Sequence, residues 1–331
     1  MRRKIFLLLA VFLAAVPLAA QQKNYVISTK NAEYIVSEEG LRSQVEFLAD
    51  AICAGRKTGT SGSARAAGWL GQRFEGIGLL PPEGSFYRGF RSRTGATGRN
   101  VIGFLPGRET VSRQYIVVTA HYDHLGILDG TLYPGADSNA SGVTALLTLA
   151  EMVQRMKELG RTYGKTLIFV ALDGKQQSLG GAEALWDLVS GGMLPDPETG
   201  KAVTKKDIAL VINIDQVGAT LSPIHKGRPD YLIMLGEAQD GRRDLLMAVN
   251  RSQRLDLDLG FTYYGSKDFT RLFYRQVCDQ KVFLEHGVPA VLFTSGITLN
   301  NNKPYDDAAS LDYAVMKKRI FLMFNYLTRI L

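Results

Sequence analysis

The stretch YIVVTAHYDHLGILDGTLYPGADSNASG, from Tyr115 to Gly142, carries the clearest fold signal in the sequence. It begins with an unbroken apolar run through Ala120, which is typical of a strand buried on both faces of a sheet. A glycine-rich loop with two histidines and three aspartates follows. A helix then begins near Ser141, which Asn139 or Ser141 can cap. Its apolar residues have the spacing of one buried face: Val143, Leu146, Leu147, Ala150 and Val153.

Similar apolar runs recur along the rest of the chain. Helical spacing is found over 41–48 and 64–77, and strands are predicted over 100–105, 114–120, 166–172, 208–214 and 290–294. Near-continuous apolar strands that alternate with helices indicate an α/β fold. We therefore predict a single α/β domain over 21–331, with a mixed, mostly parallel β-sheet covered by helices on both faces. Loop insertions are expected over 221–281.

The first 20 residues have the pattern of a bacterial secretory signal peptide. Three basic residues precede an apolar run over 5–15, and small residues follow up to Ala20. The apolar run is shorter than a membrane-spanning helix requires, and no second run of this kind occurs downstream. No cysteine stands at the expected cleavage point, so a lipid anchor is not indicated. The sequence predicts a periplasmic or secreted protein without a membrane span.

Composition limits the classes of function. The chain has 331 residues, 46% of them hydrophobic, which is sufficient for a large core and excludes a disordered protein. Removal of the predicted signal peptide lowers the net charge from +7 to +4, and the remaining charges are interspersed, so no nucleic-acid surface is indicated. Cys53 and Cys278 leave two alternatives open, a disulfide or two buried thiols.

Polar side chains follow the predicted strands. His121 and Asp123 follow one strand, Asp173 and Lys175 the next, and Asp215 a third. Ligands of open α/β sheets bind at the carboxyl ends of the strands, and histidine and aspartate are ordinary zinc ligands. A metal site is one interpretation; turn and capping roles for the aspartates are the other. No nucleophile elbow or phosphate-binding loop is found.

Five segments in order carry a resemblance to a known family. They are AHYDHLG over 120–126, PGADSNASG over 134–142, FVALDG over 169–174, NIDQVG over 213–218 and GVPAV over 287–291. With them, the chain resembles the di-zinc aminopeptidases of metallopeptidase family 28. The loop over 55–62 is similar to the bacterial exported branch of that family.

The resemblance implies a zinc ion held by His121, Asp137 and Asp215, with Asp123 orienting the His121 ring. Asp137 would bridge to a second zinc, which the family completes with a glutamate and a late histidine. Here Gln176 and Asn302 stand at those two positions. Lys175 replaces the glutamate that serves as general base. One zinc ion is therefore possible and two are not expected.

Other polar residues complete the predicted pocket. We interpret Lys175 as a cation near the second metal position, where it would neutralise carboxylates with help from Lys303; the alternative is that both lysines point to solvent. Asp173, Asp306 and Asp307 are further pocket candidates. The two spare histidines, His225 and His286, are expected to lie on the surface.

Two hypotheses of function follow. The first is an exported, catalytically impaired aminopeptidase-like protein that binds a peptide amino end or another amino-acid-derived small ligand. The alternative is an active mononuclear zinc hydrolase in which Asp173, Asp306 or Asp307 has become the general base. A glutaminyl cyclase is less consistent with the sequence, because the relatives with that activity need the missing glutamate and late histidine.

Overall fold

A computed structural model describes residues 36–109, 113–220, 224–225, 227–237 and 240–331. The predicted signal peptide over 1–20 lies outside these residues. Within the described part of the chain, no helix is both long enough and apolar enough to span a membrane.

The centre of the fold is an eight-stranded mixed sheet in the order β1-β2-β6-β3-β7-β10-β8-β9. Strands β6, β3, β7 and β10 are mutually parallel neighbours, β8 and β9 are also parallel, and the other pairs are antiparallel. The main-sheet strands are β1 Tyr87–Arg91, β2 Thr97–Leu105, β3 Tyr115–His121, β6 Thr166–Leu172, β7 Ile208–Ile214, β8 Tyr231–Leu235, β9 Asp258–Gly260 and β10 Ala290–Thr294. A separate hairpin consists of β4 Gly126–Leu128 and β5 Thr131–Tyr133.

The central strands are apolar throughout because both faces of the sheet are covered. Every residue of β3 and of β6 is buried. Val118 and Phe169 face one hydrophobic cluster, whereas Val117 and Ile168 face the cluster on the opposite side. Successive side chains of a strand point to opposite faces, so an unbroken apolar run is the pattern that two covered faces require.

Eight α-helices surround the sheet in the described part of the chain. They are α1 Glu38–Ala49, α2 Ser61–Ile77, α3 Gly142–Glu158, α4 Gly180–Ser190, α5 Arg242–Ser252, α6 Lys267–Leu272, α7 Gln280–Glu285 and α8 Tyr313–Ile330. Helices α1, α2, α3, α5 and α8 contribute apolar residues to one cluster, while α4 and α7 contribute to the other. These two layers confirm the predicted α/β class.

Three strands of the sheet were not predicted. β1 is an edge strand with the polar sequence YRGFR, and β8 and β9 lie in the segment 221–281 that was expected to hold loop insertions. That segment therefore adds strands to the main sheet as well as loops. The α3 cap is provided by Asn139, whose Oδ1 accepts from Gly142 N at 3.1 Å. Cys53 and Cys278 are both free and buried.

Candidate functional site

Three parallel strands have polar residues at or just after their carboxyl ends, on the same side of the sheet. β3 ends at His121, Lys175 follows β6, and Asp215 follows β7 directly. Because β3 lies between β6 and β7 and is parallel to both, the residues after these strands meet in space. The structure thus brings together His121, Lys175 and Asp215, which lie far apart in sequence.

The Lys175 ammonium contacts both neighbours. Its Nζ forms an ion pair with Asp215 Oδ2 and lies 3.2 Å from His121 Nε2. Burial alone would lower the pKa of Lys175, but the Asp215 carboxylate outweighs it and raises that pKa above its usual value. Burial alone would raise the pKa of Asp215, yet the Lys175 ammonium holds it far below its usual range. Lys175 therefore remains protonated and points into the site.

Asp123 contacts both His121 and the loop after β6. His121 Nδ1 lies 3.1 Å from the Asp123 carbonyl oxygen and 3.6 Å from its carboxylate. The two carboxylate oxygens accept the backbone N–H groups of Lys175 and Gln176, each at 3.0 Å. One buried aspartate thus fixes both the His121 ring and the start of the loop after β6. The orienting role expected for Asp123 toward a metal-bound His121 stays a prediction.

Asp137 is buried on the loop before α3. Its Oδ1 accepts from the Ser141 hydroxyl at 3.0 Å and from the backbone N–H groups of Gly218 and Ala219 at 2.8 and 3.2 Å. Its Oδ2 is buried and has no hydrogen-bond partner in the described part of the chain. Burial raises the pKa of Asp137, because a buried carboxylate loses its hydration. One Asp137 carboxylate oxygen is therefore left unpaired inside the protein.

The loop after β10 reaches Asp137 through Asp306. The Asp306 carboxylate is buried and accepts the N–H groups of Asp137 and Ser138 at 2.7 and 3.0 Å. Burial, together with the nearby Asp137 charge, raises the pKa of Asp306 to about 7. Asp307 is exposed and caps a short 3-10 helix by accepting from Ser310 N. Asp306 fixes the loop before α3 that carries Asp137, whereas Asp307 has a local structural role.

Asp173 is also committed to structural hydrogen bonds. It accepts from the hydroxyl groups of Thr58, Ser63 and Tyr122 at 2.8, 3.1 and 3.1 Å, and from Arg99 N at 3.0 Å. Burial, with the Asp123 charge, raises the pKa of Asp173 to about 6. These contacts join Thr58 and the start of α2 to the sheet and hold Asp173, which is buried, in a structural hydrogen-bond network.

The remaining predicted residues lie toward solvent. Gln176, Asn302 and Lys303 are exposed. His225 is exposed and pairs with Asp258, and His286 is an exposed residue whose Nδ1 lies 3.0 Å from Val282 O. The structure does not bring these two histidines to His121.

Sequence reasoning missed two buried residues beside Lys175, Cys278 and Asp279. Asp279 is 1% exposed, and neither carboxylate oxygen has a hydrogen-bond partner among the described residues. Burial raises its pKa to about 6, and the His121 and Lys175 charges offset only part of this effect. Burial likewise raises the pKa of the Cys278 thiol. The available signal was their position just before α7 and β10, in a segment that the sequence analysis assigned to insertions.

Comparison with known proteins identifies the class. The model of Peptidase family M28 matches residues 100–327, which is more than half of the chain. The chain therefore belongs to Peptidase family M28, as the ordered motifs predicted. Among curated relatives, the alkaline phosphatase isozyme conversion protein of Escherichia coli strain K12 is 32% identical over 181 residues. That alignment covers 49% of this chain and 47% of the relative, so the chain spans about half of its length.

Solved structures with low sequence identity share the fold. A zinc aminopeptidase from Bacillus subtilis superposes with a TM-score of 0.65 at 13% identity, covering 89% of this chain and 95% of the other. The glutaminyl cyclase of Porphyromonas gingivalis superposes with a TM-score of 0.64 at 16% identity, covering 90% and 99%. A zinc aminopeptidase and a glutaminyl cyclase thus share this fold. The fold alone does not distinguish the two activities, so the site residues have to be compared.

Family membership and the zinc aminopeptidase neighbour imply zinc, but the residues of this chain do not fit it as they are arranged. In the part of the chain that the structure describes, no group of three or more His, Cys, Asp or Glu side chains is placed to hold a metal ion. His121 and Asp215 are neighbours, but the Lys175 ammonium contacts both of them. A cation of the protein itself thus occupies the vicinity of these two donors.

Proposed function

We propose that this chain is an exported aminopeptidase-like protein that no longer hydrolyses peptides and instead binds a peptide amino end or a similar amino-acid-derived molecule. The observation that best supports this proposal is the ion pair of Lys175 with Asp215. A protonated, ion-paired lysine cannot accept the proton of an attacking water, and a general base contributes about 10²–10⁴-fold to a hydrolytic rate. Periplasmic or secreted location is part of the proposal and rests on the N-terminal sequence pattern.

The acceptor for the ligand is Asp137. Its unpartnered Oδ2 is a buried anionic oxygen, and a buried acceptor without a partner is costly. A primary ammonium brings three donors and a positive charge, so it can form a charge-assisted hydrogen bond there. This supports an amino end as the recognised group.

The test combines activity and binding. The unmodified protein should not hydrolyse aminoacyl nitroanilides, but calorimetry should detect binding of leucine amide. N-acetyl leucine amide should bind at least about tenfold more weakly because acetylation removes the ammonium charge. Asp137→Asn should weaken leucine amide in the same way. Hydrolysis at ordinary enzyme rates, or equal affinity for the two amides, would show that the proposal is wrong.

The alternative is a mononuclear zinc hydrolase with a relocated base. The structural hydrogen bonds of Asp173 and Asp306 and the exposed capping role of Asp307 count against all three candidate bases. This alternative requires one tightly held zinc per chain and loss of activity in Asp215→Ala. A protein that is isolated without metal and is insensitive to chelators would eliminate it.

A further inference from the structure

The spacing of His121 and Asp215 is that of two metal ligands. His121 Nε2 and Asp215 Oδ1 lie 3.4 Å apart. Two ligands of a tetrahedral zinc ion, each at about 2.0–2.1 Å, are separated by roughly 3.3 Å. Two donors therefore have the mutual distance that zinc would impose, although no zinc is needed to hold them there.

The group that joins these donors is the Lys175 ammonium. Nζ lies 3.2 Å from His121 Nε2 and is ion-paired with Asp215 Oδ2. The lysine side chain is only 16% exposed, and its backbone N–H is fixed by Asp123 at 3.0 Å. Because the backbone is anchored and the head group is paired, the ammonium is held between the two donors.

We infer that the Lys175 ammonium takes the place of a metal ion between His121 and Asp215 and keeps zinc out of this position. Zinc could bind there only after the ammonium had left Asp215, and separating a buried ion pair is strongly unfavourable. The inference goes beyond the proposed ligand, since the lysine would exclude zinc whether or not an amino end binds at Asp137.

Oxygen donors are available once the lysine charge is removed. Both carboxylate oxygens of Asp279 are buried without partners in the described residues, and the Asp279 charge acts on Lys175. A cation that replaces the ammonium would pair with Asp215 and would also be attracted by this unpaired carboxylate. Removal of the Lys175 charge should therefore convert a site that rejects zinc into one that accepts it.

The experiment compares the unmodified chain with Lys175→Met, which keeps the side-chain length and removes the charge. Lys175→Met should bind one zinc per chain in calorimetry, at least about tenfold tighter than the unmodified chain. Cobalt should give visible absorption in the variant alone. Adding His121→Ala should abolish both signals. The matched control is Lys206→Ala, which removes an exposed lysine and should behave like the unmodified chain.

Two results would overturn the inference: one tightly bound zinc in the unmodified chain, or a folded Lys175→Met variant that binds zinc no better. If the variant does not fold, thermal unfolding of the unmodified chain decides. A ligand that binds the native state raises Tm, so an unchanged Tm in excess zinc supports the inference and a zinc-dependent rise overturns it. Peptide binding can fail in the separate test without affecting either readout.

Discussion

The Lys175 side chain meets Asp215 because both residues follow strands that end at the same edge of the sheet. A lysine in this position has two effects. Its charge satisfies a buried carboxylate that would otherwise be unpaired, and its protonated state removes the proton acceptor that a hydrolase of this family would need. Under the proposed function, this one residue both pairs with the buried carboxylate and accounts for the loss of hydrolysis.

Restoring the family's residues at positions 175, 176 and 302 should give the chain hydrolytic activity. We expect the triple variant Lys175→Glu, Gln176→Glu and Asn302→His to gain aminopeptidase activity in the presence of zinc, since it supplies a base and the missing ligands. The increase in kcat/KM for an aminoacyl nitroanilide should be at least about 10²-fold.

The control for this gain is Gln177→Glu, which adds a carboxylate one residue beyond the replaced pair and should remain inactive. A folded triple variant that binds zinc and is still inactive would contradict the prediction.

At the scale of elements, Arg56 ties together the segments that frame the site. Its guanidinium is fully buried and donates to the carbonyl oxygens of Tyr122, Pro134 and Gly135 at 2.6, 2.7 and 2.8 Å, and also to Leu48 O. These carbonyls belong to the end of α1, the exit from β3 and the loop before Asp137. Burial lowers the pKa of Arg56 to about 10, which leaves it charged at neutral pH.

Arg56→Lys should therefore destabilise the fold although it conserves the charge. An ammonium cannot reproduce the planar set of donors, so buried carbonyl oxygens lose their partners. We expect a loss of about 2–4 kcal/mol in the free energy of unfolding, measured by urea denaturation.

Arg93→Lys is the matched control, because that side chain is 78% exposed and forms a surface pair with Glu183. Its effect should stay below about 1 kcal/mol. Equal effects of the two substitutions would argue against the role of Arg56.

At the scale of the whole molecule, buried acids make stability depend on pH. Burial raises the pKa of Asp279 to about 6 and, with the Asp137 charge, that of Asp306 to about 7. In the unfolded chain such groups titrate near pH 4. The folded state binds more protons between these values, so these groups lower the free energy of unfolding as pH rises from about 4 to 7.

Asp279→Asn should remove part of this dependence. The amide keeps the shape of the side chain and carries no charge to bury. Relative to the unmodified protein, we expect the variant to become more stable by roughly 2–3 kcal/mol on going from pH 4 to pH 8. Urea denaturation across this range measures the difference.

The control is Asp256→Asn, whose side chain is 88% exposed. It should show no comparable pH-dependent difference. A constant difference between Asp279→Asn and the unmodified protein at all pH values would contradict the assignment of a costly buried charge to Asp279.

The sequence was sufficient to predict the central strands and the end of the sheet at which the polar residues collect, and it limited the α3 cap to Asn139 or Ser141. It could do so because these features depend on local apolar patterns and on the general geometry of parallel strands. The edge strands β1 and β9 were not predictable in this way, because short or polar strands depend on pairing with a neighbour. The inner strand β8 has the apolar, fully buried sequence YLIML and was missed because its segment was expected to hold loop insertions.

Where the charges meet depends on how remote segments pack together. The sequence placed Lys175 near the site but left open whether its side chain points inward. It did not indicate that Asp279 lies near Lys175. The direction of a long side chain follows from the balance between hydration and pairing, which depends on neighbours that are remote in sequence. Here that neighbour is Asp215, which follows β7. Its ion pair with Lys175 directs the lysine side chain toward the site.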